Sequence, residues 1–295
     1  MKKELYKNQY PEITLDEIQT FIRLYNEDHQ VKEIAKIVHR DRHVVSRHLK
    51  RSGVIVKHGG YVPRKISIPP MDVRFSAFLG YIFADGWEEA KAYGIGFANK
   101  DSIVLQDVRA LIKQLFNKNI PIKFNRSSQI WYIRLRSKVL FNCLHQFLGF
   151  DIVPEKILNG SDDLKSSFLR ALFTGDGHVT LSLRKVGGRF YLVYCVCLSC
   201  RNRKLQSQYK KMLNDLHIKC NQSPEGLVIK RKNCIKLFKN KIGFLNGAKI
   251  FKSPYWKICE KNAILNTICN FNRISFSSPD EGWSYILKKV KQKTD

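Results

Sequence analysis

Two short stretches constrain this chain more than anything else in it. FLGYIFADGW, Phe78 to Trp87, and FLRALFTGDGH, Phe168 to His178, each run apolar at helical spacing and stop on an acid followed by glycine. The acids, Asp85 and Asp176, lie 91 residues apart (176 − 85). A carboxylate at a helix C-terminus faces the negative end of the macrodipole, and a second one beside it adds repulsion, so stability does not explain the pattern. Each helix also carries small residues four apart, Gly80 with Ala84 and Ala171 with Gly175. Such a stripe lets two backbones approach closely. Helices packed along it bring Asp85 and Asp176 side by side, with Gly86 and Gly177 supplying the permissive conformation favoured just past a helix end. Divalent cations would relieve both electrostatic penalties, and Mg2+ held by one or two carboxylates plus phosphate oxygens is a common phosphodiester-cleaving arrangement.

The rest of the chain repeats around these helices. DSIVLQDVRALIKQLF places Val104, Val108, Leu111 and Leu115 on one helical face, and RKLQSQYKKMLNDL does the same with Leu205, Tyr209, Met212 and Leu216. Each leads into an I-K-x-N strand start, Ile122 to Asn125 and Ile218 to Asn221. In QIWYIRLRS, Trp131, Ile133 and Leu135 alternate with Tyr132, Arg134 and Arg136, giving one apolar face and one basic face. Lys123 and Asn125 extend the basic face, and Ser182, Arg184, Lys230 and Lys232 are the expected counterparts in the second half. Such a surface suits a DNA groove.

Residues 1–52 read as a separate all-α unit. Thr14 and Glu17 form a capping box before Ile18, Phe21, Ile22 and Tyr25; VKEIAKIV supplies a second helix through Val31, Ile34, Ala35 and Val38. Asp41 caps a third, whose Val44, Val45 and Leu49 turn inward while Arg42, His43, Ser46, Arg47 and Lys50 turn outward. That is the pattern of a helix-turn-helix with its last helix free for a major groove. Residues 53–71, rich in Gly, Pro and basic residues including Arg64, read as a linker able to follow phosphates.

Charge narrows the partner. Against 25 Asp+Glu stand 52 Lys+Arg, a net +27 at pH 7, which attracts a polyanion, nucleic acid foremost. No apolar run approaches the roughly 18 residues of a membrane span and the N-terminus lacks a signal-peptide stretch, so an intracellular protein is expected, in cytoplasm, nucleoid or organelle matrix, with no membrane partner. The 8 cysteines do not make a disulfide framework; Cys195, Cys197 and Cys200 in YCVCLSC come nearest to a metal pattern, but no matching pair follows, and buried reduced thiols are the better reading.

The paired stretches FLGYIFADG and LRALFTGDG resemble the two copies of the signature motif of the LAGLIDADG homing endonucleases, in their single-chain form, over roughly Met71 to Leu265. The resemblance implies an α+β fold: two pseudo-symmetric αββαββα halves, here 72–160 and 161–295, with antiparallel DNA-binding sheets, beside the small helix-turn-helix domain. It implies that Asp85 and Asp176, with the backbone of Gly86 and Gly177, hold the catalytic metal, Mg2+ with Mn2+ able to substitute. The sixth motif position, often acidic, is Phe83 in one copy and Thr174 in the other. The family also sets a lysine near each metal; Lys156 and either Lys249 or Lys252 stand where one is plausible. The implied activity is a site-specific double-strand cut by a monomer in a long asymmetric double-stranded DNA target, with intron homing as its setting. The alternative is a non-cleaving binder on the same fold, an intron RNA maturase or a transcription regulator.

Overall fold

The computed structural model describes residues 13–27, 29–54, 66–149, 151–251, 253, 256–271 and 274–291. Arg64 and Lys252, and most of the expected linker, lie outside the described residues. The chain divides into two compact units, 1–65 and 66–295.

In the first unit, α1 (Leu15–Asn26), α2 (Val31–Ile37) and α3 (Arg42–Arg51) enclose a core of Phe21, Leu24, Ile34, Ala35, Val45 and Leu49. Thr14 and Glu17 form the expected reciprocal cap, and Asp41 caps α3 through the His43 amide at 2.7 Å. Glu17 also receives the Arg40 guanidinium at 2.8 Å, tying α1 to the turn before α3. Leu24, rather than Ile18 or Tyr25, completes the buried face of α1; the latter two are half-buried at its margin.

The second unit opens with α4 (Val73–Asp85), capped by Asp72, then β1 (Gly86–Glu89), β2 (Gly94–Asn99), α5 (Ser102–Phe116), β3 (Lys123–Asn125), β4 (Ile130–Arg136) and α6 (Lys138–Leu148). After a single turn of helix, α7 (Glu155–Leu158), the order recurs: α8 (Asp162–Asp176), β5 (Gly177–Val186), β6 (Arg189–Ser199), α9 (Arg203–Asp215), β7 (Asn221–Ser223), β8 (Gly226–Ile229) and α10 (Lys232–Lys241). The αββαββα pattern is therefore present twice. The chain continues through α11 (Lys261–Asn270), β9 (Ser275–Phe276) and α12 (Pro279–Lys291).

Both sheets are antiparallel, ordered β1-β2-β4-β3 and β5-β6-β8-β7, with β9 also pairing β6. The tight β5–β6 hairpin turns on Gly187 and Gly188, both at positive φ, as a two-residue connection requires. Alternation sorts the residues as the sequence implied. Ile133 and Leu135 are buried while Arg134 and Arg136 are exposed, and Val179 and Leu181 face the core of the second sheet. Lys123 stands opposite Tyr132 in register, which puts it on the same outer face. Lys232 departs from expectation. It is the first residue of α10, not a sheet residue, and its ammonium donates to the Phe271 carbonyl.

The helices α4 and α8 pack directly on each other along the small-residue stripe. A Cβ at Gly80 would run into the Phe168 carbonyl, and one at Gly175 would lie 2.6 Å from the Ala84 Cβ. Two hydroxyls cross the interface reciprocally: Ser76 donates to the Leu164 carbonyl at 2.7 Å, Ser167 to that of Val73 at 2.8 Å. Donors and acceptors are offset by the same 91 residues as the acids (167 − 76 and 164 − 73), so the contact has a local two-fold character. The glycines after the acids serve a different purpose from the one expected. Gly86 and Gly177 are extended, at φ −80° and −90°, not left-handed. Glycine is required because a side chain would collide with the Ile82 and Phe173 carbonyls as the chain leaves each helix directly into a strand.

Candidate active site

The stripe contact brings the two helix ends together. The Asp85 carboxylate lies over Gly175, with its Oδ2 2.9 Å from where a Cβ would stand, one residue before Asp176. Asn99, closing β2, donates its amide to Asp85 Oδ2 at 2.7 Å. Two residues later Asp101 caps α5 through the Ile103 amide and is 4% exposed. Its other oxygen accepts the Lys249 backbone amide at 2.7 Å. The second half thus reaches across to the first through a main-chain bond.

Lys249 is also bridged to Glu260, and the Lys261 amide donates to the Ala248 carbonyl at 2.8 Å. This folds the segment back so that Lys261, first residue of α11 and 7% exposed, enters beneath the acids. Its ammonium donates to the Thr174 and Gly177 carbonyls, each at 2.7 Å. Burial pushes its pKa down to about 8, opposed by the negative charges of Asp85, Asp101 and Asp176. Neighbouring His178 is held below the usual imidazole range, mainly by burial and then by the Lys261 charge.

Of the lysines named from sequence, Lys156 is exposed on α7 and Lys249 contributes its backbone; the ammonium that feels the charge of both acids belongs to Lys261. Its signal in the sequence was faint: a lysine opening the apolar helix KNAILNTICN. The Gly177 carbonyl, in the backbone expected to help hold a metal, accepts from Lys261 at 2.7 Å. Phe83 stacks edge-on against Phe168 at 5.5 Å, and Thr174 is buried with its hydroxyl accepting the Leu245 amide at 2.9 Å. Both sixth motif positions therefore serve packing.

Of the basic faces, Arg134 is partly neutralised by Glu89 at 3.2 Å, whereas Arg136 and Lys123 are exposed. Asn125 turns its side-chain oxygen onto Ser127 at 2.7 Å within the β3–β4 turn. Ser182 and Arg184 alternate along β5, and Lys230 follows β8. In the first unit Arg42, His43, Arg47 and Lys50 are exposed and Ser46 half-buried along α3.

A fold of two αββαββα halves joined through paired acid-ended helices is the architecture the signature motif implied, and residues 163–243 match the model of the LAGLIDADG-like domain. That match places the second half in the LAGLIDADG family. Among curated proteins, the chain is 22% identical over 235 residues to the replication factor C small subunit of Pyrococcus horikoshii, covering 76% of this chain and 25% of that protein. It is 26% identical over 156 residues to a DNA polymerase of Thermococcus litoralis, covering 50% of this chain and 8% of the polymerase. The chain thus spans a quarter or less of these relatives' length. Similar solved structures include the N-terminal LAGLIDADG domain of WhiA, at 21% identity, 61% and 85% coverage of the two chains and TM-score 0.44. Another is the homing endonuclease I-DmoI in complex with DNA and manganese, at 17% identity, 59% and 97% coverage and TM-score 0.41.

Proposed function

We propose that this chain is a site-specific DNA endonuclease that cuts both strands of a long asymmetric target with the help of a divalent metal. The observation that carries the reading is the convergence of Asp85 and Asp176 on the buried Lys261. Three carboxylates and an ammonium below the ordinary lysine range are costly for a fold and useful for phosphoryl chemistry.

Among the described residues no group of three or more His, Cys, Asp or Glu gathers as a metal cage. The donors at hand are carboxylate oxygens, which suit Mg2+ completed by water and phosphate oxygens rather than a nitrogen- or sulfur-seeking ion. Asp85 and Asp176 would hold it, and bound there it would lower the pKa of water and offset charge on the phosphate. The protein supplies the rest. Asn99 fixes the Asp85 carboxylate through its amide. Lys261, as the free amine, keeps two N–H bonds to the Thr174 and Gly177 carbonyls and leaves its lone pair for a proton from water. As the ammonium it can return that proton to the leaving oxygen.

The outer sheet faces, led by Arg136, Lys123 and Arg184, would position the duplex, and α3 of the first unit would extend the footprint as a helix-turn-helix through Arg42, His43 and Arg47. Two unequal halves in one chain fit a monomer on a non-palindromic site.

The test is incubation of a complex DNA library with Mg2+ and end-sequencing of the products. Breaks at one long motif support the reading. Intact DNA, bound tightly in EDTA, would replace it with a non-cleaving DNA or RNA binder.

A further inference from the structure

One cluster on the second sheet takes no part in the chemistry above. Cys195 and Cys197 occupy alternate positions of β6 and therefore share a face, the outer one, because Thr180 and His178 are their register partners on β5. Their sulfurs are 3.4 Å apart and both residues are half-buried. Thr180 is the cross-strand neighbour of Cys195 and its hydroxyl lowers that thiol's pKa further, and the Lys230 charge acts on both sulfurs. His178 faces Cys197 in register.

We propose that Cys195 is a reactive thiol on the sheet face, primed by Cys197, Thr180 and Lys230 to exchange with low-molecular-weight disulfides. Two hydroxyl-like donors and a nearby cation stabilise one negative charge shared by the sulfur pair. Cys195 carries that charge: the Cys197 thiol bonded to it, more than any other cause, lowers its pKa to about 6. Cys197 retains its proton, held upward by the adjoining Cys195. Burial raises Cys143, Cys200 and Cys220, so the contrast is internal to the protein.

In the reaction, the Cys195 thiolate attacks one sulfur of the disulfide, the disulfide's S–S bond breaks, and the departing thiolate takes a proton from solvent. The product is a mixed disulfide on Cys195. Closure onto Cys197 is disfavoured. Alternate strand positions hold their Cα atoms about 6.6 Å apart, near the upper limit for a disulfide, and β6 is hydrogen-bonded on both sides by β5 and β8. Cys197 is thus a positioning donor and not a resolving thiol. Under the proposed function, which this second step rests on, a glutathione adduct places bulk and negative charge on a face that meets phosphates, and reduction restores it.

The experiment uses the full chain and limiting oxidised glutathione, with adducts mapped by peptide mass spectrometry. Thiolate fraction and the lower nucleophilicity of a more acidic thiol together give roughly two- to threefold faster reaction at pH 7 than for an ordinary thiol. Cys195 should react at least that much faster than Cys143, whose thiol burial holds up, with a rate that levels off above about pH 6, and C197S and T180V should move that inflection upward. Modification of Cys195 no faster than Cys143, or an inflection unmoved in both variants, overturns the proposal. Wild-type chain should lose DNA binding on glutathionylation and regain it with reductant, while C195S should bind throughout. A reactive Cys195 with unchanged DNA binding would leave the thiol site standing and sink its coupling to DNA, a result separable from failure of the cleavage reading.

Discussion

Replacing Lys261 with methionine tests the electrostatics of the site without any assay of cleavage. Methionine is of similar length and apolar, so the main change is loss of a charge in a position 7% exposed. Burial lowers the lysine from 10.5 to about 8. A folded-state pKa below the unfolded one means that the fold disfavours the proton. The lysine's contribution is therefore most favourable above about pH 10.5, where both states are neutral, and is lost as pH falls toward 8. The shift corresponds to roughly 3 kcal/mol at 1.36 kcal/mol per unit. Urea unfolding of wild type and Lys261→Met, at intervals from pH 7 to pH 10, isolates it. Both proteins share every other titrating group, so the stability difference, wild type minus variant, should rise by about 2.5 kcal/mol across that window, the remainder lying above pH 10. Chromophores and denaturant slopes must agree between the two proteins for the subtraction to hold. A difference independent of pH would show that Lys261 keeps an ordinary pKa, and the assignment of a proton-transfer role to it would fall.

Five other substitutions probe separate parts of the molecule. Gly175→Val forces a side chain onto Ala84 and the Asp85 carboxylate, and should destabilise by about 2–3 kcal/mol in urea unfolding; neutrality would contradict the close helix contact. On the proposed function, Asp85→Asn and Asp176→Asn should each lower cutting by roughly 10²–10³-fold and leave DNA affinity intact, read by nicking of a supercoiled target plasmid; full double-strand cutting by either variant would remove that acid from the site. Arg136→Ala should weaken binding at every sequence and reduce the salt slope by about 1, measured by fluorescence anisotropy at several salt concentrations. Arg134→Ala should do less, since Glu89 already offsets its charge, and an equal effect would count against that ion pair.

The helices were legible because the sequence repeats their features: acid, glycine and small-residue stripe recur together at one spacing, and periodic apolar residues fix which face is buried. The sheet faces were legible for the same reason, since alternation in IWYIRLR admits only one sorting into core and surface. The choice among lysines was not legible. Lys156, Lys249 and Lys252 were judged by position along the chain, but with 52 basic residues nothing local distinguishes one from another. Lys261 is selected by tertiary structure, through the Lys249–Glu260 bridge and the main-chain bond to Asp101. The glycines were identified correctly and explained wrongly. Sequence suggests a left-handed cap for any D-G helix end, whereas here the strand starts at once and the requirement is absence of a side chain.

The near-symmetry of the helix pair makes the departures from it informative. Reciprocal serines and glycines repeat across the interface, but the surroundings of the two acids do not. Asn99 lies two residues before the α5 cap Asp101 and donates to Asp85; at the matching place before the α9 cap Asn202 stands Cys200, whose thiol bonds the Asn202 carbonyl at 3.6 Å. An amide that fixes a carboxylate is thus replaced by a weak donor engaged elsewhere. Burial first, and then the Asp176 charge, hold that thiol protonated, so it adds no negative charge beside Asp176. Lys261, supplied by the second half alone, acts on both acids and on Asp101 of the first. The two acids therefore share one buried cation, while the amide that fixes Asp85 has a thiol at its matching place in the second half.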